Sequence, residues 1–149
     1  MVTVMDKMIP IYWQNLCTLP RKSRGFNLIT AEIQQSMTTM PVVQTGLAHL
    51  FLQHTSASLT ISENTCTDVP IDLEAYFNRA IPDDERLYRH ILEGADDMPA
   101  HIKNVLLGAS LTIPISKGQL ALGQWQGIYL CEHRNHADER RIVITVHGI

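Results

Sequence analysis

An α+β domain, with helices packed on largely antiparallel, sandwich-like sheets, is the fold class this sequence predicts. Three observations carry that prediction. Short alternating or apolar segments bounded by Gly, Pro and polar turns recur along the chain, about seven in all, and read as strands. About three stretches instead place apolar residues at helical spacing. The two kinds follow one another neither as repeats nor as strict strand–helix–strand units, which argues against a parallel α/β sheet. A chain of 149 residues can bury a real core, and we read residues 1–149 as a single domain.

Taken in order, Ile9 to Leu19, apolar and aromatic with Tyr12 and Trp13, reads as the first strand. Pro20 to Gly25 is a basic turn, either a solvated hairpin tip or a phosphate contact. Leu28, Ile29, Ile33, Met37 and Met40 recur at helical spacing, with Thr30 as a candidate cap and Pro41 as the stop. Val42 to Leu52 reads as a long, largely buried strand in which His49 is packed and hydrogen-bonded. Ala57 to Ser62 alternates as the next strand. Asp68-Val69-Pro70 has the form of a helix start, with Asp68 as cap, and Leu73, Tyr76, Phe77 and Ala80 share a face beyond it. Pro82 to Glu85 is an acidic loop. Asp97 as cap and Pro99 just inside the start open a helix at about residue 98, and Gly108 stands where a C-terminal cap belongs. Ser110 to Ile115 alternates, Ser116-Lys117-Gly118 turns, and Gln119 to Leu122 returns. Gly123 and Gly127 mark a bulge or a close backbone approach. Ile128 to Cys131 is a buried strand, and Arg141 to His147 is the last, with Ile142, Ile144 and Val146 on one face.

Composition bounds the function. Hydrophobic residues make up 45% and charged residues 18%, with a net charge of -3 and a pI near 6.1. That is an ordinary globule without the basic excess a nucleic-acid binder uses to neutralise phosphates. Cys17, Cys66 and Cys131 are an odd, widely spaced set with no CxxC, so neither a zinc ribbon nor a disulfide framework is expected. They read as reduced thiols of a cytoplasmic protein. The Met1–Lys7 stretch lacks the order of a secretory signal, and no apolar run has the length of a membrane span.

Histidine is the residue type most able to carry chemistry here, with seven in the chain. Gln53 to Asn64 reads either as a capped hairpin with a hydrogen-bonded histidine or as a site in which strand ends deliver His54 and Glu63. Asp97 and His101, four apart, share a face at a helix N-terminus, the end that favours anions. His90 and His133 lie in similarly polar surroundings. Imidazoles in such places serve either as ligands to zinc or a neighbouring metal or as general acid–base groups. The spacing is not HExxH. Arg140 and Arg141 pair with Glu132 or bind an anion.

Three segments, Gln53-His54-Thr55-Ser56-Ala57-Ser58-Leu59-Thr60, Gly94-Ala95-Asp96-Asp97-Met98-Pro99-Ala100-His101-Ile102-Lys103 and Leu122-Gly123-Gln124-Trp125-Gln126-Gly127-Ile128, occur in an order that resembles the YjbQ family, from about Tyr12 to the C-terminus. Gln124 stands where the family usually has Thr. The resemblance implies an α+β fold rich in sheet and a homotrimer with sites near subunit interfaces. It implies one site containing His54, Glu63, His90, Asp97, His101, Trp125, Gln126, Glu132 and Arg141, with a metal, zinc or magnesium, held by His54, His90 and His101. It also implies a small phosphorylated substrate and an activity like secondary thiamine-phosphate synthase. That reaction joins hydroxymethylpyrimidine diphosphate to a thiazole phosphate and releases diphosphate. In such a site Arg141 would bind anion, Trp125 would stack on the pyrimidine, and Glu63, Asp97, Gln126 and Glu132 would supply acid–base or hydrogen-bonding chemistry. A metal-dependent hydrolase or lyase, and a trimeric binder without turnover, remain as alternatives.

Overall fold

The computed structural model describes residues 9–149; the Met1–Lys7 stretch read above for a secretory signal lies outside the described residues. Among the described residues, eight strands and three α-helices follow one another as β1 (Ile11–Leu19), β2 (Gly25–Leu28), α1 (Thr30–Ser36), β3 (Thr45–Leu52), β4 (Ala57–Glu63), α2 (Asp68–Ala80), α3 (Asp97–Leu107), β5 (Ser110–Ser116), β6 (Gln119–Leu120), β7 (Gln126–Glu132) and β8 (Arg140–Gly148), with a single 3-10 turn at Glu85–Leu87 before α3. All pairings are antiparallel, in a five-stranded sheet of order β1-β8-β3-β5-β6 and a three-stranded sheet of order β2-β7-β4. The fold is α+β, as the pattern of segments predicts.

The core lies between the two sheets. From the large sheet come Cys17, Leu19, Ala48, Leu50, Leu52, Ile113, Ile115, Ile142, Ile144 and Val146; from the small one come Ala57, Leu59, Ile128 and Leu130. Burying the Leu, Ile and Val side chains among them contributes roughly 1.5–3 kcal/mol each. The strict alternation of Ile142, Ile144 and Val146 is what turns one face of β8 inward.

Several local expectations are corrected. β3 starts at Thr45 and is buried on one face only: Ala48, Leu50 and Leu52 point inward, while Leu47, His49 and Phe51 are exposed. His49 is therefore not packed in the core but stacks beside Phe51 on the outer face, at 6.4 Å between ring centroids. Leu28 belongs to the short strand β2, not to a helix, and Thr30 does not cap α1: its hydroxyl accepts the Ile128 N–H at 2.9 Å, tying the helix to β7. The turn before α2 is closed by Glu63 rather than Asp68, since Glu63 Oε2 accepts the N–H groups of Thr65 and Cys66 at 3.0 and 2.9 Å. Gly127 does mark a close approach: a Cβ there would meet Leu28 Cδ2 at 2.5 Å and Asn64 Cβ at 2.9 Å. No helix among the described residues is long and apolar enough to cross a membrane.

Candidate functional site

The length of β7 divides the residues that the sequence resemblance gathers into one site. Gln126 pairs with Glu63 at one end of the small sheet, and Glu132 pairs with Ala57 at the other. Those ends are roughly 20 Å apart at the rise of an extended strand. Trp125, Gln126 and Glu63 occupy the first end, where their polar groups hold the loop together. Gln126 Oε1 accepts the Gly123 N–H at 2.8 Å, and Asn64 Nδ2 donates to the carbonyls of Gln124 and Gln126 at 3.2 and 3.1 Å. Trp125 stands 57% exposed on that braced loop. Within one chain, then, these three are not part of a site with the histidines.

At the second end, α3 supplies Asp97 and His101 one turn apart, and the loop before it supplies His90. Asp97 is buried, and it is not a helix cap, because its carboxylate turns away to other partners. His90 Nε2 lies 2.7 Å and His101 Nε2 3.0 Å from the same oxygen, Asp97 Oδ2. One ligand atom from each of the three residues falls within 4.8 Å of the others. The other oxygen, Oδ1, accepts from the Arg134 guanidinium at 2.5 Å. Burial pushes the Asp97 carboxyl up, but the hydrogen bond from His90 and the charges of Arg134 and His101 outweigh it and hold the carboxyl below its usual value. The same hydrogen bond raises His90 above the ordinary imidazole range, with Glu93 helping.

His101 is oriented from behind. Its Nδ1 lies 2.8 Å from the Thr55 carbonyl oxygen, which can only accept, so the proton sits on Nδ1. In the neutral ring, Nε2 then turns a lone pair toward Asp97 Oδ2. Two lone pairs facing each other at 3.0 Å are reconciled by a proton shared between them or by a metal ion held by both groups. A ligating imidazole whose rear N–H is fixed by a backbone carbonyl is the usual arrangement in metal sites. Two imidazole nitrogens and a carboxylate oxygen suit zinc better than magnesium, which prefers oxygen ligands. On donor type and orientation, the residues present fit a divalent metal.

His54, expected as the third metal ligand, is not in this cluster. Its Nε2 accepts the backbone N–H of Arg141 at 2.9 Å, so that nitrogen is already engaged. Burial, then the charges of Arg140 and Arg141, hold its pKa below the ordinary value and keep it neutral. His54 lines a neighbouring cavity of about 910 Å³ together with Arg21, Ser56, Arg134, His136, Arg140 and Arg141, with Asp138 and Glu139 also on its wall. Glu132, expected as a catalytic carboxylate, is fully buried. Both its oxygens bind Arg140, at 2.7 and 2.6 Å, and one also accepts the Arg134 N–H at 3.2 Å. It holds an arginine at the cavity wall and has no free face for a substrate. Arg141 is exposed on that wall, and among the described residues neither it nor Arg21 has a carboxylate partner.

His133 is a core residue. It is buried, with Nε2 at 2.9 Å from the buried Ser58 hydroxyl. Burial, with the charges of Lys103, Arg24 and Arg140 nearby, drives its pKa down to about 3. Sequence reasoning missed Arg134, which touches both the histidine cluster and the cavity. The signal available was its position directly after Glu132-His133 at a strand end.

Fold and site together describe a small α+β protein with a two-imidazole, one-carboxylate cluster beside an arginine-walled cavity. The chain belongs to the YjbQ family: residues 15–149 match the family described as UPF0047 protein YjbQ-like. It is 51% identical over 138 residues to the UPF0047 protein YjbQ of Escherichia coli O157:H7, covering 93% of this chain and 99% of that one. It is 42% identical over 135 residues to UPF0047 protein sll1880 of Synechocystis, covering 91% of each. Among solved structures, an uncharacterised YjbQ/UPF0047 protein from Clostridium acetobutylicum shares the fold at a TM-score of 0.76 and 31% identity, over 91% of this chain and 98% of that chain. A YbjQ-like protein of unknown function from Sulfolobus solfataricus P2 superposes at 0.84 with 21% identity, over 95% of this chain and 100% of that chain. That last likeness speaks to the fold alone.

Proposed function

We propose that this protein binds a divalent metal, zinc by preference, through His90, Asp97 and His101, and holds the phosphate of a small molecule in the adjoining cavity. The observation that carries the reading is the His101 ring, whose Nδ1 is committed to Thr55 and whose Nε2 faces a carboxylate. Among the described residues Arg141 and Arg21 have no carboxylate within ion-pairing distance, and neutral His54, whose Nε2 accepts from the Arg141 backbone N–H, keeps its Nδ1–H as a donor. Groups of this kind bind anions and stabilise charge that develops on a leaving phosphate or diphosphate. A bound divalent ion would supply further charge neutralisation there.

Thiamine-phosphate synthase chemistry, in which diphosphate departs as two phosphorylated molecules are joined, is one reaction of this class and is our specific candidate. Asp97 and Glu132 both have their oxygens engaged, so the site is better equipped for stabilising a leaving anion than for carboxylate general-base hydrolysis. Trp125 would act on the pyrimidine only if a second subunit brings its loop to this cavity. The outward face of the large sheet supports association between copies, which the family resemblance implies is a homotrimer. Tyr12, Leu16, Leu47 and Phe51 are 47–74% exposed there, and Arg141 of the cavity lies along the same face of β8. Large apolar side chains left uncovered on a sheet face are a feature of interaction surfaces. The free thiols of all three cysteines support a reducing, cytoplasmic setting. The reading is tested by titrating the chelator-treated protein with zinc, then with inorganic phosphate, and by assaying diphosphate release from paired pyrimidine and thiazole substrates. One zinc per chain, with phosphate binding that Arg141→Ala weakens, is expected. Absence of zinc binding overturns it.

A further inference from the structure

Among the described residues, Arg134 is the one side chain that belongs to both halves of the site. It lines the cavity, while its Nε donates to Asp96 Oδ2 at 3.0 Å, one terminal nitrogen donates to Asp97 Oδ1 at 2.5 Å, and the other donates to the Glu93 carbonyl at 2.8 Å. Its own backbone N–H is held by Glu132 at 3.2 Å, and the next residue, Asn135, gives its N–H to Asp96 at 2.8 Å. The guanidinium therefore spans the His90 loop, the start of α3 and the end of β7. By occupying Oδ1 it leaves Oδ2 as the oxygen turned to the two histidines.

We infer that Arg134 is a positioning residue that aims the Asp97 carboxylate at the metal and makes metal and anion binding depend on one another. This rests on the metal and phosphate reading above. An arginine is needed because three acceptors in different directions must be met by one rigid planar fork, which the single ammonium of lysine cannot do. Arg134 lines the cavity, and its three protein contacts use only three of its five guanidinium N–H groups, so the remaining two are the ones an anion in the cavity would engage. If Arg134 acted only as a nearby positive charge, removing it would strengthen the binding of a metal cation. If it positions Asp97, removing it weakens metal binding despite the lost repulsion.

The test compares full-length wild type, Arg134→Met and Arg134→Lys. Zinc affinity is measured by competition with a chromogenic chelator, with and without inorganic phosphate, and melting temperature is measured on the same samples. We expect both variants to bind zinc roughly 10–100-fold more weakly, the usual effect of losing a residue that orients a ligand. We also expect phosphate to tighten zinc binding in wild type and to lose that effect in Arg134→Met. A lowered melting temperature with zinc affinity and its phosphate dependence unchanged would make Arg134 purely structural. A rise in zinc affinity in Arg134→Met would make it a simple electrostatic neighbour, and either result overturns the inference while leaving the zinc site standing. A wild type that takes up no zinc removes the underlying reading as well.

Discussion

Replacing Glu132 with Ala separates a structural role from a catalytic one. Glu132 is fully buried, and its carboxylate grips the Arg140 guanidinium through two hydrogen bonds, at 2.7 and 2.6 Å. The Arg140 side chain is itself only 8% exposed. Removing the carboxylate leaves a nearly buried cation with only the Ser56 hydroxyl and carbonyl as partners, at 3.0 and 3.3 Å. Breaking one side of a buried pair costs about 3–5 kcal/mol. For a chain of this size that corresponds to a melting temperature lower by roughly 6–20 °C. The double variant Glu132→Leu/Arg140→Met removes the stranded charge and should recover most of the loss, since hydrophobic replacement of a whole buried pair is often close to neutral. Thermal and urea melts of the three proteins measure this, with zinc binding followed alongside. If Glu132→Ala melts with wild type and loses only turnover, Glu132 is a catalytic group and our description of the cavity wall is wrong.

Other consequences follow from the same geometry. His101→Asn should abolish zinc binding while costing about 1 kcal/mol of stability for the hydrogen bond it loses, roughly 2–4 °C in melting temperature; retained zinc with a large drop in melting temperature would make His101 structural. His133 is held neutral in the fold, with a pKa near 3, whereas in the unfolded chain it titrates near 6.5. The folded value is depressed, so the stability this group contributes is fully present above about pH 6.5 and is lost as pH falls toward 3, at up to about 1.4 kcal/mol per pH unit. Denaturant melts across that range should show the fall, and His133→Gln should flatten it. Trp125→Ala should leave zinc affinity of the isolated chain unchanged, because its loop lies at the other end of β7 from the histidines; calorimetry on the variant, together with light scattering for assembly, checks whether that loop acts across subunits.

Regular alternation made much of the fold legible. Ile142, Ile144 and Val146 identify β8 and its inward face, and Lys117-Gly118 identifies the hairpin, where both residues take positive φ, 52° and 80°. β2 was hidden because it is only four residues long, and its Leu28 falls into register with Ile29 and Ile33 as if all three lay on one helix. β3 misled for another reason. Leu47 and Phe51 are as apolar as Leu50 and Leu52, so residue type does not distinguish a core face from an exposed one. In the site, the pairing of Asp97 with His101 was visible at its spacing of four, and His90 was visible as an unexplained imidazole. The fate of His54 was not legible, because a backbone amide from Arg141 claims its nitrogen. Nor was that of Glu132, since its commitment to Arg140 depends on how β7 and β8 of different sheets come together. Local pattern reports faces and turns; partners that meet only through tertiary packing leave no periodicity to read.

Crystals of the full chain grown with zinc and recorded on both sides of the zinc absorption edge locate the ion without reference to activity. We predict a single strong anomalous peak per chain, at about 2.0–2.1 Å from His90 Nε2, His101 Nε2 and an Asp97 carboxylate oxygen, with His54 turned to the neighbouring cavity. A peak elsewhere, or none at these three residues in protein shown to be folded and zinc-saturated, would contradict the claim that they form the metal centre.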